Sequence, residues 1–277
     1  MEPDEAERIF DEFAEAYRDW WGPLIAPAAV RVLDDVEVPA GDSRPFDLLD
    51  LGSGTGVLAL TALERWPGVQ VVALDTSGRM LELATDAARR QSAAFPARLR
   101  AVTAGADRMP IGDASVDAAV SSFVVQLVPN RAAALREVRR VLRPGGRFAL
   151  VTWHADDPPF KPDEAFGDAL DDLQIISPSD DRDIHPYTSA RAAAAELRRA
   201  GFAEVRAWGV QLEHEFTPES YLDLLEHWSD RELFAGLDAE TRAELRARTL
   251  RYMGDLRPDA FVWRRPLVRA VARRPRR

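Results

Sequence analysis

The segment between residues 46 and 66 constrains the fold of this chain more than any other. A short apolar run, Phe46–Leu51, predicts a strand, and the glycine-rich sequence Gly52-Ser53-Gly54-Thr55-Gly56 follows it before a predicted helix from Val57 to about Trp66. Glycine lets a strand turn sharply into a helix and lets a ligand approach the backbone, whose free N–H groups bind polar or anionic groups. We therefore expect a strand, a tight ligand-binding turn and a helix in succession.

After this turn, segments with the pattern of strands alternate with segments with the pattern of helices. Further strands are predicted at Val69–Asp75, Leu99–Thr103, Val116–Phe123, Phe148–Trp153, Phe202–Phe216 and near Ala260–Val271. The helices between them are predicted from the cap Ser77 to about Gln91, from about Ala132 to Leu142, at Glu164–Leu173 and at Ser189–Ala200, with two or three more in residues 218–254. Such alternation is typical of a parallel sheet wrapped by helices.

The chain divides into six predicted parts. They are an N-terminal helical cap segment (1–45), a cofactor-binding core (46–154), an acidic lid or loop insertion (155–187), a continuation of the sheet (188–217), a helical cap (218–258), and a final strand with a basic tail (259–277). Within the first part, the helix is expected to break at Trp21-Gly22-Pro23, and Pro39 to Pro45 is expected to be a loop. The arginine-rich C-terminus is expected to be a solvated tail, with binding to an acidic partner or to the acidic lid as the alternative.

Composition excludes several classes of protein. The 277-residue chain has no cysteine, which excludes a disulfide scaffold, thiolate metal sites and a cysteine nucleophile. Its net charge of −10 disfavours nucleic-acid binding, because phosphate contacts need a basic surface. The N-terminus is acidic, and no apolar run approaches the roughly 20 residues of a membrane span. We expect a cytoplasmic monomer or homodimer without a bound metal, a membrane or a nucleic-acid partner.

Asp75 is the second feature that indicates a ligand. It ends the second predicted strand, 19 residues after Gly56, and a carboxylate at that point can accept hydrogen bonds from both hydroxyls of a ribose. The glycine spacing argues against a dinucleotide, because Val57 stands where the fingerprint G-x-G-x-x-G has its third glycine. The glycines alone are also compatible with an ordinary tight turn.

Several ordered blocks of the sequence resemble the class I S-adenosylmethionine-dependent methyltransferases, particularly the small-molecule group of the ubiquinone and menaquinone C-methyltransferases. The blocks are Leu48 to Gly56, Ala73 to Leu81, Ala106 to Pro110, Ser115 to Ala118, and Glu137 to Arg147. The resemblance implies a doubly wound, Rossmann-like, seven-stranded and mostly parallel sheet with helices on both faces, plus an N-terminal helical segment and a helical cap. It also implies S-adenosylmethionine as cofactor.

The resemblance further implies which residues meet the cofactor. Gly52, Ser53 and Gly54 would face its methionine part, with Asp50 supporting the turn or reaching the amino group through water. Asp75, with Thr76 beside it, would hold the ribose. The adenine would be bordered by Ser77, Met80, Ala106 and Asp107. Ser122 and Phe123 would lie beside the methionine and its methyl group. Many relatives carry the adenine-binding aspartate at the position of Gly105, so Asp107 would have to substitute for it, or the backbone alone would make this contact.

Two further candidates lie outside these blocks. In similar enzymes a tyrosine at the position of Tyr17 often reaches the methionine carboxylate; packing of an amphipathic helix is the alternative interpretation. Among the four histidines, His154 directly follows the fifth strand, at the edge where open sheets place their active sites, and is the preferred general base. A surface or merely hydrogen-bonded histidine is the alternative for each of them.

The predicted reaction is methyl transfer by in-line displacement to an O-, N- or C-nucleophile of an apolar or aromatic small molecule, plausible in specialised metabolism. Positioning supplies most of the rate in such a reaction, and only a nucleophile that carries a proton needs a base. The alternatives are a nicotinamide-dependent oxidoreductase and a non-catalytic cofactor-binding protein of the same fold. RNA methylation is a third, disfavoured by the net charge.

Overall fold

Seven strands form one sheet in the computed structural model, which describes residues 8, 10–38, 44–177 and 184–276. The strands are β1 (Phe46–Leu51), β2 (Val69–Asp75), β3 (Leu99–Thr103), β4 (Val116–Ser122), β5 (Leu142–Trp153), β6 (Ala203–Glu215) and β7 (Val262–Arg273). Their order in the sheet is β3-β2-β1-β4-β5-β7-β6; β1 to β5 are parallel, and β7 runs antiparallel to both β5 and β6. The predicted fold class is confirmed.

Helices cover both faces of the sheet. They are α1 (Ala14–Ala16), α2 (Gly22–Ala29), α3 (Val57–Arg65), α4 (Gly78–Gln91), α5 (Arg131–Val141), α6 (Lys161–Leu173), α7 (Ala190–Arg199), α8 (Pro218–Leu224), α9 (Arg231–Gly236) and α10 (Ala239–Gly254). Successive side chains of a strand point to opposite faces, so within β1 Leu48 joins the core on one face and Leu49 joins the core on the other. The sheet is therefore buried on both sides, as parallel sheets require.

The strand order places a crevice beside β1. From β1 the chain continues to β2 and β3 on one side of this crevice, and from β4 it continues to β5 on the other side. The order of the strands therefore reverses between β1 and β4. Open α/β sheets bind ligands at such a switch point, outside the carboxyl ends of the strands. The glycine turn after β1 and the end of β4 both lie at this point.

The N-terminal helical segment does not break where the sequence predicted. A π-helical segment, Tyr17–Trp21, connects α1 to α2, and Pro23 lies in the first turn of α2. The wider turn bonds Gly22 N–H to the carbonyl of Tyr17, five residues back, and the helical backbone continues from Trp21 into α2. A 3-10 helix, Val30–Asp35, then leads toward the sheet.

The C-terminal arginines are not a solvated tail, which corrects the first interpretation of the sequence. Arg264, Arg265 and Arg269 lie within β7 and form ion pairs with Glu213, Asp157 and Asp35. Arg274 exchanges backbone hydrogen bonds with Gly145 and Gly146 at the start of β5. That strand begins at Leu142, six residues before its predicted start, because Leu142 pairs with Val116 of β4 and Arg274 extends the pairing with β7 to Gly145 and Gly146.

Two expected loops fall partly outside the described residues, since the structure does not describe 39–43 and 178–183. Within the acidic segment, α6 begins three residues before its predicted start and buries Phe166, Ala169 and Leu170. This face of α6 packs against α10. The boundaries of the six predicted parts and the role of the acidic segment as a lid stay predictions.

Candidate active site

Three glycines shape the turn after β1, each with a left-handed backbone: φ is +69° at Gly52, +52° at Gly54 and +91° at Gly56. A Cβ atom at Gly52 would lie 2.1 Å from Val124, and one at Gly56 would lie 2.9 Å from Ala84. At Gly54 the nearest atom would be Cε1 of Tyr17, at 3.8 Å. Packing therefore requires the first and third glycines, whereas the middle one leaves the backbone open to a ligand.

Asp50 supports this turn from below. Its Oδ2 atom accepts hydrogen bonds from the Ser53 hydroxyl at 2.8 Å and from Ala59 N–H at 3.0 Å, and the residue is 1% exposed. Burial raises the pKa of Asp50 to about 7, although these two hydrogen bonds lower it. Its Oδ1 atom is buried and has no hydrogen-bond partner among the described residues. An acceptor atom is thus available directly behind the glycine turn.

Asp75 ties the glycine turn to the next loop. Its carboxylate accepts hydrogen bonds from Gly54 N–H at 2.8 Å and from Ser77 N–H at 3.0 Å. Burial raises its pKa, opposed by backbone hydrogen bonds from Ser77, Gly54 and Thr76. A carboxylate has about four acceptor positions, so Asp75 can still accept the two hydroxyls of a ribose.

Two of the residues predicted around the adenine, Ser77 and Met80, lie at the start of α4, under the N-terminal segment. Ser77 caps α4 by accepting a hydrogen bond from Met80 N–H at 3.0 Å, and its hydroxyl donates to Asp11 at 2.5 Å. Met80 is buried in a small cluster with Ala14, against which Phe10 and Tyr17 pack. In this conformation the N-terminal segment therefore covers the Met80 side chain.

Ala106 and Asp107 lie on the turn after β3. This turn begins beside Asp75, since Ala104 N–H donates a hydrogen bond to the Asp75 carbonyl at 2.9 Å. Ala106 is partly buried and Asp107 is exposed, with its carboxylate beside Gly105. Whether Asp107 meets the adenine stays a prediction.

The end of β4 is held in an unusual conformation. Ser122 is the last residue of the strand, and Phe123 after it has φ +56°, in the left-handed region that non-glycine residues seldom adopt. The Gln126 amide donates to the Phe123 carbonyl at 2.6 Å, and the Thr152 hydroxyl donates to Gln126 Oε1. Both polar side chains are buried. The only signal for them in the sequence is one polar residue in each of two apolar runs, Val124 to Leu127 and Leu150 to Trp153.

Several aromatic rings contact one another near these strand ends. Tyr17 lies beside Gly54, and its ring centroid is 5.7 Å from that of Trp228. Burial raises the pKa of Tyr17, and the negative charges of Asp75 and Asp50 raise it further, so the phenol stays neutral. Phe123 contacts Trp153 at a centroid distance of 4.6 Å. We call Trp21, Trp153, Trp228 and Trp263 the tryptophan cluster, because centroid distances of 5.7 to 6.1 Å connect them.

The histidines differ in the hydrogen bonds of their rings. His154 Nδ1 accepts a hydrogen bond from Asp156 N–H at 2.9 Å, so the neutral ring carries its proton on Nε2 and has no spare lone pair in this conformation. His227 Nδ1 lies 2.8 Å from the Asp223 carbonyl, a contact that requires the proton on Nδ1 and leaves Nε2 as an acceptor. A base role for His154 stays a prediction and would require the Asp156 contact to open.

Comparisons with known proteins identify the family of this chain. The family model described as a methyltransferase domain matches residues 49–150. The ubiquinone/menaquinone C-methyltransferase UbiE of Nitrobacter hamburgensis is 30% identical over 73% of this chain and 84% of that protein. Nocamycin O-methyltransferase of Saccharothrix syringae is 33% identical over 74% of this chain and 75% of that protein. UbiE of Methylobacterium nodulans is 38% identical, but the match spans 46% of that protein.

Solved structures agree on the fold. The crystal structure of the cyclase SpnF superposes with a TM-score of 0.65 at 18% identity, over 99% of this chain and 97% of that one. The chain belongs to the class I S-adenosylmethionine-dependent methyltransferases, and its resemblance to the ubiquinone and menaquinone C-methyltransferase group is confirmed. Among the residues that the structure describes, no helix is long and apolar enough to span a membrane.

The residues present fit the cofactor of this class. The open backbone at Gly54, the spare acceptor positions of Asp75 and the unpartnered Oδ1 of Asp50 lie on one side of the switch point. S-adenosylmethionine offers a ribose with two hydroxyls and an ammonium group, which are the donors that these acceptors need. The glycine turn, Asp50 and Asp75 therefore fit such a cofactor, and their contacts with it stay a prediction.

Proposed function

We propose that this methyltransferase transfers a methyl group from S-adenosylmethionine to an O-, N- or C-nucleophile of an apolar or aromatic small molecule. The observation that supports it best is the bond between the Asp75 carboxylate and Gly54 N–H, which joins a left-handed glycine turn to the acidic end of β2. The relatives with C- and O-methyltransferase names support a small-molecule acceptor.

In this proposal Asp75 accepts the ribose hydroxyls, Gly52, Ser53 and Gly54 cradle the methionine part, and Asp50 receives the ammonium group directly or through water. Ser77, Met80, Ala106 and Asp107 border the adenine, while Ser122 and Phe123 flank the reacting end. The cofactor supplies a sulfonium-activated methyl group. Tyr17 stays neutral over Gly54 and excludes water from the turn.

The protein contributes mainly by positioning. The buried chain from Thr152 through Gln126 to the Phe123 carbonyl fixes the backbone at the end of β4, so an acceptor held there meets a rigid wall. Holding two reactants in line can contribute about 7–11 kcal/mol in favourable cases. If the nucleophile carries a proton, His154 would remove it after releasing Asp156, and a carbon nucleophile would need no base until after transfer.

Calorimetry tests this proposal directly. We expect S-adenosylhomocysteine to bind the wild-type protein. Asp75→Ala should lower this affinity by about 10- to 100-fold, which corresponds to the roughly 1–3 kcal/mol of lost charged hydrogen bonds. Asp86→Ala removes an exposed carboxylate on α4 that pairs with Arg89, and it should leave the affinity unchanged.

The same titration with NAD separates the competing function. Binding of NAD without binding of S-adenosylhomocysteine would refute the proposal in favour of an oxidoreductase. Equal affinity of Asp75→Ala and wild type for S-adenosylhomocysteine would show that Asp75 does not hold the ribose.

A further inference from the structure

The loop that connects β3 to β4, residues 104–115, carries the turn with Ala106 and Asp107, and none of its residues lies in a helix or a strand. We call it the β3–β4 loop. Its backbone groups have no regular ladder of hydrogen bonds to hold them, so the loop keeps one conformation only where other parts of the fold bind it. The contacts that bind this loop therefore determine where the turn after β3 lies.

Two backbone hydrogen bonds hold the end of the loop beside β3. Ala104 N–H donates to the Asp75 carbonyl at 2.9 Å, and Arg108 N–H donates to the Gly105 carbonyl at 3.3 Å across the turn. Arg108 and Asp107 are exposed. The turn is thus only partly supported from this end.

Two charged residues of α5, Glu137 and Arg140, hold the middle of the loop. Glu137 accepts a hydrogen bond from Met109 N–H at 3.0 Å, two residues after Asp107. Arg140 donates to the carbonyl of Met109 at 3.0 Å and to the carbonyl of Ile111 at 2.7 Å. Both backbone groups of Met109 are therefore bound by α5.

Glu137 and Arg140 are also paired with each other. Arg140 donates to the two carboxylate oxygens of Glu137 at 2.6 and 2.7 Å, and to Asp113 at 2.6 Å. The hydrogen bond from Arg140 lowers the pKa of Glu137, so the pair stays charged near neutral pH. A planar guanidinium with five N–H donors can serve these carboxylates and the two loop carbonyls together, which a lysine ammonium with three cannot.

The same stretch of the loop is anchored in the core. Met109 and Ile111 are buried, and they share a core cluster with Leu135 and Val138 of α5. Packing fixes the place of an apolar side chain, whereas hydrogen bonds are directional and also fix the orientation of the backbone. The charged pair on α5 thus sets the direction in which the chain runs back from Met109 to the turn.

We propose that Glu137 and Arg140 are positioning residues that hold the turn at Ala106 and Asp107 against the adenine of the cofactor. This inference rests on the proposed function, since it concerns the cofactor of the same site. Gly105 has no side chain to offer the base, so recognition of the adenine depends on where this turn lies. Both residues act through Met109, and their effect falls on the base rather than on the ribose or the methionine part.

Calorimetry tests this with two ligands that differ only at the base: S-adenosylhomocysteine, and S-inosylhomocysteine, in which an oxygen replaces the amino group of the adenine. We expect the wild type to bind the first at least about tenfold more tightly, because the second presents an acceptor where the turn offers an acceptor. Arg140→Lys keeps the charge but loses the planar fork, and Glu137→Gln keeps the shape but loses the charge. Each should reduce the preference to less than about threefold, mainly by weakening the binding of S-adenosylhomocysteine.

Arg274→Ala is the matched control for a general loss of stability. Arg274 binds the same end of α5, where it donates to the Arg140 carbonyl at 2.7 Å, and its hydrogen bonds in the described part of the chain go to α5 and β5 rather than to the loop. This variant should be less stable than the wild type and keep the preference.

Amide hydrogen exchange of residues 104–113 in the free protein provides a second measurement. Exchange should be faster in Arg140→Lys and Glu137→Gln than in the wild type, because the pair that holds Met109 is weakened. Circular dichroism checks the folding of each variant, and the nearly isosteric Glu137→Gln decides the question where Arg140→Lys does not fold.

The outcomes separate this inference from the proposed function. An unchanged preference in the folded variants, unchanged exchange of the loop, or equal binding of the two ligands by the wild type would overturn the inference and leave the proposed function standing. Failure of S-adenosylhomocysteine to bind the wild type would refute the proposed function, and the inference with it.

Discussion

Gly52 and Gly54 are two residues apart in one turn, yet their surroundings differ. Both have positive φ, but only Gly52 is closed in by a neighbouring side chain, Val124. The motif in the sequence treats the two glycines alike, because it records only their spacing. The structure separates a glycine needed for packing from a glycine that leaves room for a ligand.

Substitution of these glycines by alanine should therefore have different effects. Gly52→Ala combines a left-handed alanine with an overlap against Val124, so we expect a loss of about 2–5 kcal/mol in the free energy of unfolding. Gly54→Ala should lose only about 1–2 kcal/mol, since its methyl group meets nothing closer than 3.8 Å. Gly54→Ala should nevertheless weaken the binding of S-adenosylhomocysteine by about tenfold or more, because the methyl group would lie where the proposed function places the ligand.

Urea denaturation and calorimetry measure the two effects. Gly68→Ala is the matched control, because Gly68 lacks a positive φ and a Cβ there would meet no atom within 4 Å. A Gly54→Ala protein that binds the ligand like the wild type would show that the middle glycine does not face the cofactor.

At the scale of elements, two π-helical segments connect the N-terminal segment to the cap, the second at Leu225–Ser229. Each contributes two consecutive rings: Trp20 stacks on His227 at 4.4 Å, and Trp21 stacks on Trp228 at 5.7 Å. A wider turn changes the direction of the side chains that follow it relative to an α-helix. This pairing links residues more than 200 positions apart, and local periodicity could not reveal it.

The C-terminus is a second element whose role depends on distant partners. The Arg274 guanidinium donates to the carbonyls of Arg139 and Arg140, at 3.1 and 2.7 Å, at the end of α5. Carbonyls at a helix C-terminus lack partners within the helix and favour a positive charge. The last residues thus fix the connection between α5 and β5.

We expect Arg274→Ala to lower the free energy of unfolding by about 2 kcal/mol, because it removes charged hydrogen bonds to several backbone carbonyls. Arg276→Ala, a change of an exposed arginine two residues away, should change it by less than about 0.5 kcal/mol. Urea unfolding of both variants provides the comparison. Equal stability of the two would indicate that the chain end is solvated, as the sequence first suggested.

At the scale of the whole molecule, the stability depends on pH through carboxyl groups with opposite shifts. The pKa of Asp50 is raised to about 7 by burial, so the folded state binds this proton more tightly than the unfolded state does. The pKa of Asp117 is lowered overall, because hydrogen bonds from Arg44 and Asp47 N–H and the charge of Arg143 outweigh its burial.

The Asp50 contribution to stability should therefore be fully present below about pH 4, fall as the pH rises from about 4 to 7, and stay constant above that range. We expect the stability of Asp50→Asn relative to wild type to increase across this range by on the order of 4 kcal/mol. Denaturation at a series of pH values measures this difference. For Asp117→Asn we expect the opposite dependence: the wild type should be more stable than the variant at neutral pH and lose this advantage in acid. If the stability difference between Asp50→Asn and wild type did not change with pH, the raised pKa of Asp50 would be contradicted.

Local sequence determined one side of the sheet, the three strands from its β3 edge to β1. β1, β2 and β3 have their predicted bounds, and Ser77 caps α4 as expected, because short apolar runs, glycine turns and helix caps act over a few residues. The same local signals placed Asp75 at the end of β2 and the glycine turn beside it. The cofactor was implied by the resemblance of these short segments to the class I methyltransferases.

Tertiary structure decided everything that depends on residues far apart in the chain. It continued the first helix through Gly22 and Pro23, drew the C-terminal arginines into the sheet, and covered Met80 with the N-terminal segment. It also buried Gln126 and Thr152 behind Phe123 and assembled the tryptophan cluster from three parts of the fold. Side-chain packing and ion pairs between distant segments leave no periodic pattern of residue types in the sequence. Only the folded chain therefore reveals them.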